Sequence, residues 1–215
     1  MEGIMRLLDL FCGEGLAALG YWNSGRFSEI VGVDIRHELQ RSYSFDFIHG
    51  DCLKLDYEFL SQFDFIHASP PCQYYSKITP DRSKHMRLIP AIKQMLFASG
   101  KPHIIENVEG SQYDLRPNMV ISGNYLGLPM VRKRYFFVSE LDDLHLRFIK
   151  DATGDNISLH GGDYISRDEA CKAFGLSDIN TRQLSKITIH GIEQGIPPRM
   201  TEFLARTLIA APVFI

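Results

Sequence analysis

The strongest constraint on this chain's fold is a series of short β-rich runs, "MRLLDLF", "SEIVGVD", "FDFIHG", "FDFIHAS", "PHIIENV", "NMVISG" and "RYFFVSE". Several are almost continuously apolar, as strands covered on both faces are. Helix-length segments separate the early ones, at 15–24, 36–43 and 88–99. Repeated βαβ units follow, and with them an α/β fold, a Rossmann-like doubly wound, mostly parallel sheet. With 215 residues and 45% apolar content, the length predicts one domain over 1–215. From about Ser139 the alternation stops, and "DATGDN" and "HGGDY" read as surface loop over about 139–165. A last helix is expected after "IPPRMTEF", with Thr201 as its cap and Phe203, Leu204 and Leu208 on its buried face.

Composition removes several classes. A net charge of −3 and a pI near 6.2 give no general basic field, so a nucleic-acid partner has to meet local patches. Cys12, Cys52, Cys72 and Cys171 are scattered, with neither C-x-x-C spacing nor histidines at ligand spacing. That argues against a disulfide framework or a zinc site, and fits a reducing cytoplasm. No stretch reaches the ~20 apolar residues of a membrane span, and the start breaks into a glycine turn too early for a signal peptide.

"LLDLFCGEGLAALG" reads as strand, glycine turn and helix start, and Gly13-x-Gly15-x-x-Ala18 satisfies a short dinucleotide-type pattern. Asp34 closes the second strand about twenty positions after Gly15, where a carboxylate takes ribose hydroxyls. Asp51, ending the third strand, is placed to accept from an adenine amino group. The alternative is a plain tight turn with capping aspartates. Nicotinamide cofactors and S-adenosylmethionine are not separated by these residues.

Cys72 follows the strand "FDFIHAS", at the sheet edge where open α/β folds do their chemistry. Pro70 and Pro71 restrict the backbone ahead of it, so the thiol is held in a narrow range of directions. Glu106 and Asn107 end the next apolar strand, putting a carboxylate opposite Cys72. A desolvated carboxyl there has a raised pKa and can donate a proton near neutrality. Arg132 and Arg134 share a face if "VRKRYFFV" is strand. Tyr74 and Tyr75 either pack on a substrate ring or fill the core.

In this order, "DLFCGEG", "PPCQ", "ENV", "RKRYFF", "SRDEACKAFGL" and "IEQGIPP" resemble the motifs of the DNA cytosine-5 methyltransferase family. The resemblance spans most of the chain and implies the class I methyltransferase fold, with S-adenosyl-L-methionine as cofactor and DNA as partner. It implies that Cys72 is a covalent nucleophile, Glu106 a proton donor, Arg134 the holder of the cytosine carbonyl, and Arg132 a support for thiol and acid. Cofactor contacts are implied at Asp9, Phe11, Cys12, Gly13, Gly15 and Leu16, and at Asp34, Ile35, Asp51, Cys52 and Pro71. Nucleic-acid contacts are implied at Gln73 and Ser76 and at Lys77, Arg82, Lys84 and Arg87, a basic loop that closes as a phosphate clamp. No metal is implied.

Family members usually insert a recognition domain after the Arg-x-Arg motif. Here about thirty positions separate Arg134 from Ser166, below the ~50 residues a domain needs. The resemblance therefore points to a compact, bacteriophage-like form, with either accessible cytosine as substrate or a partner chain supplying recognition. A transfer-RNA cytosine methyltransferase is the nearest alternative. A cofactor-binding regulatory subunit and a dehydrogenase are the others.

Overall fold

The structure is a computed structural model that describes residues 5–141, 145–150, 166–177 and 185–209. Its strands are β1 (Met5–Leu10), β2 (Phe27–Asp34), β3 (Asp46–His49), β4 (Phe65–Ala68), β5 (His103–Asn107), β6 (Met119–Ser122), β7 (Lys133–Val138) and β8 (Leu146–Phe148). They form one sheet in the order β3-β2-β1-β4-β5-β7-β6-β8. Every pairing is parallel except those of β7, which runs antiparallel to β5 and β6. This is the doubly wound, mostly parallel sheet that the apolar runs predict.

Adjacent residues on each central strand serve opposite faces. Leu7, Ile30, Phe65 and Ile104 lie in one core cluster, and Leu8, Val31, Ile66 and Ile105 in the other. Near-continuous apolar runs are the signature of that double burial. On the first face pack α1 (Leu16–Asn23) and the final helix, and on the second pack α2 (Tyr57–Ser61) and α3 (Ile89–Ser99). Two shorter helices follow, α4 (Gln112–Leu115) and α5 (Arg167–Ala173). Then come α6 (Ile189–Gln194) and α7 (Pro198–Leu208).

Three expectations change. The segment 36–43 is a short 3-10 helix, His37–Arg41, because Tyr43 turns back into the core and donates to Asp9 at 3.1 Å. The last helix starts earlier than expected, at Pro198, since proline suits a first helical turn. Thr201 therefore lies inside α7, donating to the carbonyls of Ala17 and Pro198 at 2.8 and 3.1 Å instead of capping. Leu204 is fully buried and Phe203 and Leu208 partly so. Finally, β8 falls within the expected loop and pairs parallel with β6. The remainder of that loop, with "DATGDN" and "HGGDY", lies outside the described residues.

Candidate active site

Strand order reverses at β1, which has β2 on one side and β4 on the other. Ligands of open α/β sheets bind outside the carboxyl ends at such a switch point. There the chain makes a tight turn with Phe11, Gly13 and Gly15 at φ 58°, 54° and 88°. A left-handed Phe is strained by about 1–3 kcal/mol, a cost that typically marks functional turns. Asp34, 6% exposed, ties the turn down. One oxygen accepts from the Gly13 amide at 3.1 Å, and the other from the Arg36 amide at 3.0 Å.

The groups around the turn divide into ligand-facing and structural. A Cβ added at Gly13 would meet nothing closer than the tip of Arg36 at 4.0 Å, so the backbone is open to a ligand beside the Asp34 carboxylate. Ile35 is exposed on the rim. Asp51 caps the turn Cys52–Lys54 through the Leu53 amide at 3.0 Å. Leu16 is buried against Gly195. Cys12 and Cys52 are buried free thiols, which burial keeps protonated, Cys52 being pushed up to about 12. They pack and do not react. Asp9 is buried beneath the turn, where desolvation pushes its carboxyl up to about 7 against the donation from Tyr43. Its Oδ1 has no hydrogen-bond partner.

Beyond β4, Ser69-Pro70-Pro71 leads to a partly buried Cys72, with Pro71 exposed and Pro70 buried. The loop is pinned by Asn107 at the end of β5, whose Nδ2 donates to the Pro70 carbonyl at 2.7 Å. Glu106, 5% exposed, receives Nε of Arg134 at 2.9 Å and a hydrogen bond from Ser69. Burial raises its pKa, while Arg134, Arg132 and Ser69 oppose the rise. The Cys72 thiol is also raised, first by burial and then by the charge of Glu106, with both arginines pulling it down. Thiol, acid and arginines thus sense one another in one site. Each anion raises the proton affinity of its neighbour, so a proton leaving the thiol favours protonation of the carboxylate.

The arginines differ from expectation in their bonds. Arg134 engages Glu106 itself. Arg132 is buried, and its Nη2 donates to the carbonyls of Glu193 and Gly195 at 2.5 and 3.2 Å. It also lies over the Phe174 ring at 5.2 Å. It fastens the C-terminal segment to the site. Glu14, in the glycine turn, makes a matching tie by accepting from the Thr188 amide and hydroxyl at 2.5 and 2.6 Å.

The basic loop after Cys72 is less free than its composition predicts. Lys77 pairs with Glu109 at 2.8 Å and Lys84 with Asp81 at 3.3 Å. Arg87 makes a two-pronged pair with Asp114, which also accepts from Tyr75 at 2.8 Å. Arg82 and Gln73 are exposed. Ser76 accepts from the Ile78 amide at 3.4 Å. Tyr75 is buried and packs edge-on to Tyr74, so it belongs to the core. Among the described residues no group of side chains is suited to hold a metal, and no helix is long and apolar enough to cross a membrane.

Residues 5–110 match the family model described as C-5 cytosine-specific DNA methylase. The human tRNA (cytosine(38)-C(5))-methyltransferase is 25% identical, over 67% of this chain and 44% of its own length. The chain thus spans less than half of that curated relative. Among solved structures, the Entamoeba histolytica methyltransferase EhMeth superposes with a TM-score of 0.61 at 11% identity, covering 95% of this chain and 98% of that one. This likeness shows the fold. The S. pombe Dnmt2 methyltransferase gives a TM-score of 0.48 at 18% identity, covering 63% and 49%. The part of the chain that carries the glycine turn, the thiol and the buried carboxylate belongs to the C-5 cytosine methyltransferase family.

Proposed function

We propose that this protein transfers a methyl group from S-adenosyl-L-methionine to carbon 5 of cytosine in DNA. The observation that carries the reading is the buried Glu106, held by Arg134 and Ser69 in electrostatic contact with a partly exposed Cys72. Gly13, Asp34 and the rim at Ile35 and Asp51 would hold the cofactor. When bound, it supplies an electrophilic methyl group to carbon 5.

The chain's own residues do the rest. The Cys72 thiolate adds to carbon 6 of the ring, forming a C–S bond. Glu106 gives its proton to ring nitrogen 3, so the electron pair displaced from the ring gathers at carbon 5, which becomes enamine-like. Once carbon 5 is alkylated and has lost its proton, the C–S bond breaks, Cys72 leaves as thiolate and the aromatic ring returns. Arg134 steadies the carboxylate through this exchange, and the two prolines hold the attack direction. The cytosine reaches the site by leaving its stack, which costs a few kcal/mol. Gln73, Ser76 and Arg82 on the loop face the displaced strand, and Lys77, Lys84 and Arg87 join them if their ion pairs open. Sequence recognition falls to a short segment of this chain or to a partner.

The human relative's name supports a second reading, with transfer RNA as substrate. Transfer of labelled methyl to DNA and RNA of matched sequence separates the two. Cys72→Ser should abolish transfer to either, and abolish crosslinking to 5-fluorocytosine oligonucleotides, while leaving cofactor affinity within a few-fold. Turnover retained in that variant would rule out the covalent route.

A further inference from the structure

Behind Glu106, on the face covered by α1, runs a buried chain of polar side chains. The Tyr21 hydroxyl lies 2.9 Å from Nδ1 of His67, and Nε2 of His67 lies 2.7 Å from Oγ of Ser69. Ser69 in turn bonds Glu106. Tyr21 and His67 are both 0% exposed. A histidine sealed in a core of Leu7, Phe27 and Phe65 is needed for neither packing nor the chemistry described so far, so its polar contacts require a reason.

The direction of donation is set by satisfaction of buried groups. The Tyr21 hydroxyl has His67 as its hydrogen-bond partner, and a buried hydroxyl proton without an acceptor costs about 1–3 kcal/mol. Tyr21 therefore donates to Nδ1. Burial keeps the imidazole neutral, its pKa pulled down to about 3, so its one proton sits on Nε2 and is given to Ser69 Oγ. That leaves the Ser69 proton only one direction, toward the Glu106 carboxylate.

We propose that Tyr21 and His67 are positioning residues that hold Ser69 as a one-way donor to Glu106, and so set the pH at which the acid carries its proton. The other groups facing Glu106 are Arg134 on β7, Arg132 just before it, Cys72 after β4 and Tyr21 on α1. None of them replaces a hydroxyl donor. The catalytic consequence rests on the proposed methyl transfer, whereas the titration itself does not.

The test follows the Glu106 δ-carbon by 13C NMR in the free protein, with assignment from Glu106→Gln. Ser69→Ala removes a donor to the anion and should raise the midpoint by roughly half a pH unit or more. The pair Tyr21→Phe with His67→Leu removes the chain without stranding a tyrosine hydroxyl, and should move the midpoint the same way by less. Adding Ser69→Ala to that pair should give no further shift than Ser69→Ala alone, since both act through one hydrogen bond. His67→Gln keeps a donor toward Ser69 and should restore the wild-type midpoint. In methyl transfer, where the rate falls as Glu106 deprotonates, the basic limb should move up in step. An unmoved midpoint in the pair, or additive shifts in the triple variant, overturns the proposal. Absence of methyl transfer by the wild-type protein would sink the activity and leave the titration result standing.

Discussion

The sharpest perturbation available is Gly110→Ala. Gly110 lies in the turn after β5, where a Cβ would sit 2.0 Å from the Tyr75 carbonyl oxygen, and ordinary contact begins at 3.4 Å. The obstacle is backbone, so no rotamer relieves it, and the two loops must separate by about 1.4 Å. Tyr75 cannot yield alone, because its amide bonds the Cys72 carbonyl at 2.9 Å and its hydroxyl is held by Asp114. The displacement is passed to the thiol loop, while Glu106 stays in the sheet. A misplacement of ~1 Å costs on the order of 100-fold in rate, against a stability loss of about 1–3 kcal/mol for overpacking. Single-turnover methyl transfer should therefore fall about 100-fold, with cofactor affinity by calorimetry unchanged and a cooperative melt retained. A folded variant within a few-fold of wild-type rate would refute the reasoning.

Three further outcomes follow from other contacts. Glu106→Gln removes the charge that raises the Cys72 thiol, so the pH profile of Cys72 alkylation by iodoacetamide should shift to lower pH while methyl transfer falls steeply; an unshifted profile would uncouple the two groups. Asp114→Asn loosens both Arg87 and Tyr75, and trypsin should cut after Arg82 or Lys84 several-fold faster than in wild type. Asp9 has a carboxyl raised to about 7 in the fold, so its contribution to stability is complete below the ordinary carboxylate range and is lost as pH rises through about 7. Asp9→Asn should remove that slope, with urea midpoints that overtake wild type toward neutral pH by an amount on the order of a few kcal/mol.

What was legible in the chain depended on how local its cause was. The central strands could be read because neighbouring residues such as Leu7 and Leu8 are buried on opposite faces. Cys72 and Glu106 could be read because each ends a strand with distinctive neighbours. The segment 36–43 misled because Leu39 and Tyr43, four apart, mimic a helical face, while Tyr43 answers to Asp9, 34 positions away. Strand β8 has three residues, too few to show alternation. The clamp reading counted cations within one loop, but the acids that engage Lys77 and Arg87 lie 32 and 27 positions on. Asn107 stood in plain view beside Glu106, yet its grip on Pro70 needed the sheet to bring β4 and β5 together.

The ties at Glu14 and Arg132 bear on how the protein is made. Glu14 and Thr188 are 174 positions apart, and Arg132 finds its acceptors only at Glu193 and Gly195. A nascent chain emerging from the ribosome can pair β1 with β2 early, yet the ligand turn keeps an unbraced carboxylate until the closing stretch arrives. Maturation of the catalytic centre is therefore among the last events of synthesis, and such a distant closure is intrinsically slow. Premature termination before residue 185 would yield a sheet whose working edge is never finished.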